Sequence, residues 1–368
     1  MLKKKKAIIA FLGNLNYDTR SFNLYKSLTE NNIEVRVIAF DWLTPGFLTK
    51  FGGITIYRLD KSKSSLFYYL NFLFLLTKNL LINKADYYFA EDVYTLPLVS
   101  IFSKIYGGKL YYDSRELYGH LAGLTGKRKT QSILAFLEKL FIRYIVYVLV
   151  TGEMDADYLI NKYKNINTIL LRNLPLYKTE FHNVDLKDRF KIKSQNKIIL
   201  YQGVVLKGRG LLPTIDALKN ITNYTLLVLG DGDYRKELIS IVENYKISEK
   251  VIFGGKVDQM DLLNFTHSAD IGLAIIENLS LSYYYALPNK LFEYIMAEIP
   301  VIVSDLPQMR NIVEKYKVGV IVSPNNIEEI QKGFETIVDN YDTYKQNCII
   351  AKEELNWENE VSNLLKTL

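Results

Sequence analysis

Cysteine is nearly absent: Cys348 is the one thiol in 368 residues. No disulfide can form within the chain, and a reducing, cytoplasmic compartment is expected. Long apolar runs are missing too. Behind Met1–Lys6, with its four consecutive lysines, the apolar stretch Ala7–Leu12 is only six residues long. That is too short for the core of a signal peptide, and none is expected. The greasiest stretch, Ser65–Ile82, holds Asn71, Lys78 and Asn79 and is too interrupted to be read as a membrane span. Histidine is scarce, with His120, His182 and His267 alone. The acidic triplets Asp231-Gly232-Asp233 and Asp155-Ala156-Asp157 are read as a turn and a helix start, not as metal ligands. There is no short internal repeat and no low-complexity tract.

What is present reads as two globular domains. The length exceeds one typical core, and 49% hydrophobic with 23% charged residues excludes disorder. The net charge of +6 is uneven: residues 1–190 hold 27 Lys and Arg against 17 Asp and Glu, the remainder 19 against 23. A basic first half points to an anionic contact (a membrane surface, a lipid phosphate or a nucleic acid) or only to lysine-based solubility. Nucleic acid is disfavoured, because the 28 tyrosines are spread over the whole chain and form no basic stacking groove. The stretch Leu66–Leu81, flanked by Lys61, Lys63, Lys78 and Lys84, fits an interfacial helix or a helix buried against the first sheet; Lys3–Lys6 adds a second basic cluster.

Short apolar runs alternate with amphipathic ones. Ala7–Leu12, Glu34–Phe40, Ile54–Tyr57, Asp86–Ala90, Lys109–Asp113 and Tyr147–Val150 read as strands. Ser21–Glu30, Phe67–Leu81, Leu96–Tyr106 and Thr130–Tyr144 read as helices. The pattern lapses around Asn173–Asn196 and restarts at Lys197–Tyr201, followed by strands Thr225–Leu229, Val251–Phe253, Ile271–Ala274, Pro300–Val303 and Val318–Val322. This predicts an α/β protein with a domain over 1–180, a linker over 181–196, a domain over 197–350 and a helical segment over 351–368 returning to the first domain. Ligands of such parallel sheets sit at the carboxyl ends of the strands.

The second half carries the chemistry. After the strand Lys197–Tyr201 come Gln202-Gly203 and then Lys207-Gly208-Arg209-Gly210, opening a helix: a cradle for phosphate, or an ordinary glycine turn. Gly230-Asp231-Gly232-Asp233 reads as a tight turn with an N-cap aspartate. In Pro288-Asn289-Lys290-Leu291-Phe292-Glu293, Asn289 can cap a helix whose first amides, with Lys290, would meet a diphosphate. Glu293 lies one turn on, placed for ribose hydroxyls or for a surface pair with Lys290.

These segments, taken in order with Val251-Ile252-Phe253-Gly254-Gly255, Ala269-Asp270-Ile271-Gly272-Leu273 and Pro300-Val301-Ile302-Val303-Ser304-Asp305, resemble the donor domain of the large retaining glycosyltransferase family (glycosyl transferases group 1, family 4 type). That family includes sucrose and glycogen synthase relatives and many bacterial surface-polysaccharide enzymes. The likeness runs from about Lys197 to Pro324. Ala85-Asp86 to Glu91-Asp92 and Tyr111–Leu117 are similar to its acceptor domain.

The resemblance implies the GT-B fold, two Rossmann-like domains facing each other across a cleft. It implies retaining transfer from a nucleotide-sugar, a co-substrate rather than a cofactor, to a sugar or lipid-linked saccharide, with no metal. On the donor it places Gly13, Asn14, Gly203, Gly210, Gly255, Lys256, Val257, Pro288, Asn289 and Glu293. Arg209 and Lys290 would stabilise the leaving diphosphate, Arg115 and Glu116 would stand at the transferred sugar, and Asp18, Arg20, Asp92 and His120 would lie on the acceptor side. The chain departs from the family pattern where Tyr285 replaces a glutamate, Val204 an arginine and Arg115 a histidine. Those departures keep a non-catalytic partner subunit as an alternative, with a nucleotide-sugar epimerase behind it for want of cleft histidines.

Overall fold

The computed structural model describes residues 4–42, 49–62, 64–120, 124 and 126–368. Lys3 and Lys63, expected in basic clusters, lie outside the described residues. The chain forms two compact units, residues 1–173 with 360–368, and residues 174–359.

In the first unit the elements are β1 (Lys6–Ala10), α1 (Thr19–Glu30), β2 (Glu34–Asp41), β3 (Thr49–Phe51), β4 (Ile54–Arg58), α2 (Ser65–Ile82), β5 (Tyr87–Ala90), α3 (Leu96–Tyr106), β6 (Lys109–Ser114), α4 (Arg128–Phe141), β7 (Tyr147–Val150), α5 (Glu153–Tyr163) and β8 (Thr168–Leu170). The sheet has eight strands in the order β3-β4-β2-β1-β5-β6-β7-β8. All pairings are parallel except β3 with β4. Strands such as Tyr87–Ala90 are buried along their whole length, which is why they read as unbroken apolar runs. The strand order reverses between β1 and β5, so Phe11-Leu12 and Glu91-Asp92 emerge side by side at the carboxyl edge.

The second unit begins with a short helix, α6 (Leu186–Phe190), inside the segment expected to be a linker. It continues with β9 (Lys197–Gln202), α7 (Leu211–Leu218), β10 (Tyr224–Leu229), α8 (Arg235–Asn244), β11 (Val251–Gly255), α9 (Gln259–His267), β12 (Ile271–Ala274), α10 (Leu281–Tyr284), α11 (Asn289–Met296), β13 (Val301–Ser304), α12 (Pro307–Tyr316), β14 (Gly319–Val322), α13 (Ile327–Asp339) and α14 (Tyr341–Glu354); most of the last helix, α15 (Trp357–Leu365), belongs to the first unit. Six parallel strands run in the order β11-β10-β9-β12-β13-β14. That is the Rossmann order, and its reversal lies between β9 and β12.

Two close approaches fix the edge at this reversal. Gly230 has φ 143°, and a Cβ there would lie 1.9 Å from the Gly203 carbonyl oxygen. Only glycine lets the ends of β9 and β10 sit so close. A Cβ on Gly272 would lie 2.3 Å from the Tyr294 ring. The bare backbone of β12 therefore admits Tyr294 of α11, whose hydroxyl donates to the carbonyls of Leu200 (3.0 Å) and Leu273 (3.2 Å). This contact pins α11 across β9 and β12.

Candidate active site

In the second unit, α11 begins one residue earlier than the capping expectation. Pro288 is the N-cap, Asn289 is the first helical residue, and no side chain caps the helix. The first-turn amides thus keep their positive end for a ligand. Asp233 likewise caps nothing: α8 has Tyr234 as its N-cap without a side-chain bond, and Asp231 closes the turn by accepting from the Gly232 amide at 2.9 Å.

Lys290 and Glu293 do not form a surface pair. Lys290 Nζ lies 3.5 Å from the centroid of the Tyr201 ring, and the Arg209 guanidinium 4.9 Å from that of Tyr283. Neither cation has a carboxylate partner among the described residues. Burial, and next the nearby Arg209, hold the Lys290 ammonium well below its ordinary value, with Glu293 pulling the other way. Two basic side chains thus stand on aromatic faces with no carboxylate at ion-pair distance among the described residues, an arrangement that suits an anion. Glu293 Oε2 accepts from Gln202 Nε2 at 2.5 Å, and Gln202 Oε1 accepts from Thr266 Oγ1 at 2.7 Å. Burial raises the Glu293 carboxyl, which Gln202 and Lys290 partly offset. Gln202, Thr266, Tyr201 and Tyr283 had no assigned role in the sequence. The signal available was Gln202 itself, a polar residue closing the apolar run of β9.

The remaining donor-side residues of this unit lie on strand ends and loops. Gly203 follows β9, Gly210 precedes α7, and Gly255 ends β11, its carbonyl accepting from the Gly230 amide at 2.7 Å. Lys256 is exposed, while Val257 packs against the core. Val204 is exposed, and its carbonyl accepts from the Tyr201 hydroxyl at 2.6 Å. Tyr285 offers a carbonyl to Gln308.

The first unit holds a buried ionic cluster beside its own strand reversal. Arg20 is bidentate to Asp113, with both contacts at 2.6 Å, and also donates to the Leu171 carbonyl. Arg115 reaches Asp113 (3.1 Å), Glu91 (2.8 Å), Ser21 (2.6 Å) and Asp18. Three of the residues expected at the transferred sugar and the acceptor are held in the packing of this unit. Arg115 spends its guanidinium on three carboxylates. Arg20 is buried and holds β6 to the end of β8. Asp92 is buried in the loop before α3, accepting from the amides of Leu12 (2.5 Å) and Thr95 (2.7 Å). Asp18 caps α1 through the Ser21 amide at 2.8 Å. His120 Nε2 pairs with the Tyr158 hydroxyl at 2.8 Å, and burial and then Lys162 lower its pKa. Glu116 is exposed. The Gly13 carbonyl accepts from the Phe40 amide, and Asn14 caps a 3-10 turn at Leu15–Tyr17.

Burial pushes the Glu91 carboxyl up to about 7 from 4.5; Arg115 pulls it down, and Asp113 and Asp18 add to the rise. Three acids against two guanidinia leave one negative charge too many, and Glu91, whose Oε1 has no partner, takes the proton. Between pH 4.5 and about 7 the folded chain therefore holds a proton that the unfolded chain has lost. This group's contribution to stability is full below 4.5 and declines as the pH rises towards 7. Urea unfolding across that range should show a loss on the order of 2 kcal/mol, and Glu91→Gln should flatten it; an equal slope in the variant would place the proton elsewhere.

Residues 184–354 match the family model of the Glycosyl transferases group 1. They carry Gln202, Arg209, Lys290 and Glu293. An uncharacterised glycosyltransferase of Methanocaldococcus jannaschii is 25% identical over 183 residues, 48% of this chain and 45% of that protein. The match thus spans about half the length of the curated relative. Sucrose-phosphate synthase from Thermosynechococcus elongatus has a TM-score of 0.79 at 16% identity, over 99% of this chain and 98% of its own. HepE of Anabaena, in complex with UDP-glucose, has a TM-score of 0.75 at 16% identity, over 99% and 100%. The fold is that of the GT-B glycosyltransferases, two parallel-sheet Rossmann-like units. The carboxyl edge at the β9/β12 reversal, where open parallel α/β sheets hold their ligands, is where Arg209, Lys290 and Glu293 gather.

Proposed function

We propose that the protein is a glycosyltransferase that moves a sugar from a nucleotide-sugar to a sugar or lipid-linked saccharide acceptor, with retention of configuration, in surface-polysaccharide or glycolipid synthesis. The observation that carries this reading is the pair Arg209 and Lys290, two basic side chains in no close ion pair, near the Glu293 carboxylate that Gln202 holds. The bond from the anomeric carbon to the diphosphate oxygen breaks, and its electron pair leaves on the diphosphate. The acceptor hydroxyl oxygen forms the new bond, and its proton passes to the departing diphosphate oxygen. Arg209, Lys290 and the α11 amides would meet the charge growing on the leaving group. Because side-chain cations fill that role, we propose that no metal is needed. Retention is proposed from the resemblance of the second unit's motifs to the retaining family.

The test is release of nucleoside diphosphate from a panel of nucleotide-sugars, with and without EDTA, starting with UDP-glucose, the molecule bound in the HepE structure. Release that survives EDTA supports the reading. Binding without release from any donor leaves the partner-subunit alternative, and abolition by EDTA with rescue by magnesium overturns the metal-free mechanism. Glu293→Gln should weaken nucleoside diphosphate binding by about 1.5–3 kcal/mol, the cost of losing hydrogen bonds to a charged group. Titration calorimetry giving the wild-type affinity would remove Glu293 from the ribose.

A further inference from the structure

Helix α2 is long and apolar, with mean hydropathy 1.4 over 18 residues, yet only 28% of it is buried. The buried residues Tyr68, Phe72, Leu76, Asn79 and Leu80 recur every three to four positions and seat one side of the helix on the sheet. The other side is apolar as well: Leu66 is 70% exposed, Phe74 66% and Ile82 71%. Because one flank is committed to the unit's core, α2 presents its apolar surface from the side, as a helix lying in an interface does, and not as a span.

The helices beside it continue that surface. α3 packs against α2 and α4 against α3. The Tyr106 hydroxyl of α3 donates to the Leu81 carbonyl of α2 at 3.0 Å, and Lys104 of α3 lies 4.8 Å from the Tyr144 ring just beyond α4. Ile105 of α3 is 64% exposed, and Phe136 of α4 is 62% exposed. Charge on the layer has one sign. α2 and α3 contain no acidic residue. The one acid of α4, Glu138, is buried under the layer, bonded to Tyr112 (3.0 Å), Tyr163 (2.6 Å) and Lys162 (3.3 Å). Lys78, Lys104, Lys129 and Lys139 are exposed on it.

We propose that the layer formed by α2, α3 and α4 docks the protein on an anionic lipid surface, the apolar side chains entering the headgroup region and the lysines meeting lipid phosphates. A second copy of the chain is a poorer occupant. A two-fold contact through this layer would set lysine against lysine with no acid to compensate. Lipid needs no complementary shape and supplies the missing negative charge. The inference stands independently of the transferase reading, since no residue of the β9/β12 edge takes part in it.

The experiment is co-sedimentation of the full chain with phosphatidylcholine vesicles, with and without phosphatidylglycerol, at low and high salt. Sizing of the free protein is run alongside. Binding should require phosphatidylglycerol and fade as salt screens the lysines. Phe74→Glu with Phe136→Glu should lower the bound fraction at least about 10-fold, each acid placing a charge where the apolar contact would form. Lys104→Glu with Lys139→Glu should lower binding to the anionic vesicles alone. Nucleoside diphosphate affinity should stay the same in both variants. Three results would overturn the proposal: no sedimentation with either vesicle, equal salt-insensitive binding to both, or a wild-type dimer that the Phe74/Phe136 variant splits.

Discussion

Lys290→Ala should lower kcat at saturating donor by about 10²–10³-fold, the usual cost of removing one preorganised group from developing charge, and should leave the unfolding midpoint nearly unchanged. The two halves of that expectation share one cause. Lys290 stands on the Tyr201 ring, desolvated and next to Arg209, so its ammonium is disfavoured in the empty site. Alanine removes a group the fold does not depend on and eases repulsion with Arg209. A diphosphate would supply the negative charge this position lacks, and on the proposed reading Lys290 would meet charge that is greatest as the sugar departs. Arg209→Ala should act in the same direction, since its guanidinium has only the Tyr283 face to hold it. Steady-state rates at saturating donor, set beside thermal unfolding curves, test both variants. Wild-type turnover in either one would end its assignment to the leaving group.

Asp113→Ala should cost about 3–5 kcal/mol of stability, the range for stranding one partner of a buried ion pair. Among the described residues Asp113 is the only carboxylate bonded to Arg20, and both are almost wholly buried, at 1% and 3% exposure. Without it a guanidinium is left in the interior with one carbonyl, that of Leu171, as its acceptor. Glu91→Gln makes the informative contrast. It removes the surplus negative charge of the same cluster while keeping an acceptor for Ser21 and Arg115, so it should be mild, or stabilising above pH 7. Denaturant unfolding of the two variants separates them. Equal losses would mean that cavity formation, and not the charge count, sets the cost.

Local signals in the sequence gave the elements that bury a full strand or one face of a helix. Leu96–Tyr106 and Tyr147–Val150 are predicted and found at the same residues, because an apolar run between turn residues has one way to be buried in a parallel sheet. The three-residue strands β3 and β8 escaped, being too short for any period to register. Of α5 only the acidic start at Asp155-Ala156-Asp157 is legible, because its polar face leaves no clear period. The cations Arg209 and Lys290 and the carboxylate Glu293 could be named from motif order. Their partners could not: that Gln202 would hold Glu293, or that Tyr201 would lie under Lys290, depends on β9 and α11 meeting across β12. Arg115 is the converse case. Its position by resemblance pointed to sugar chemistry, but Asp18, Glu91 and Asp113 come from three separate stretches of chain to enclose it.

Residues 360–368 belong to the first unit although everything in the second is made before them. Glu360 closes on Arg172 through two side-chain bonds of 2.9 and 2.7 Å, and Tyr111 and Lys109 both donate to the Thr367 carbonyl. During synthesis the first sheet can assemble early, yet the ribosome must finish 174–359 before those bonds form. The order of translation thus holds one domain unsealed while the other folds, and a stop or a nick ahead of Glu360 would damage the part of the protein farthest from it in sequence.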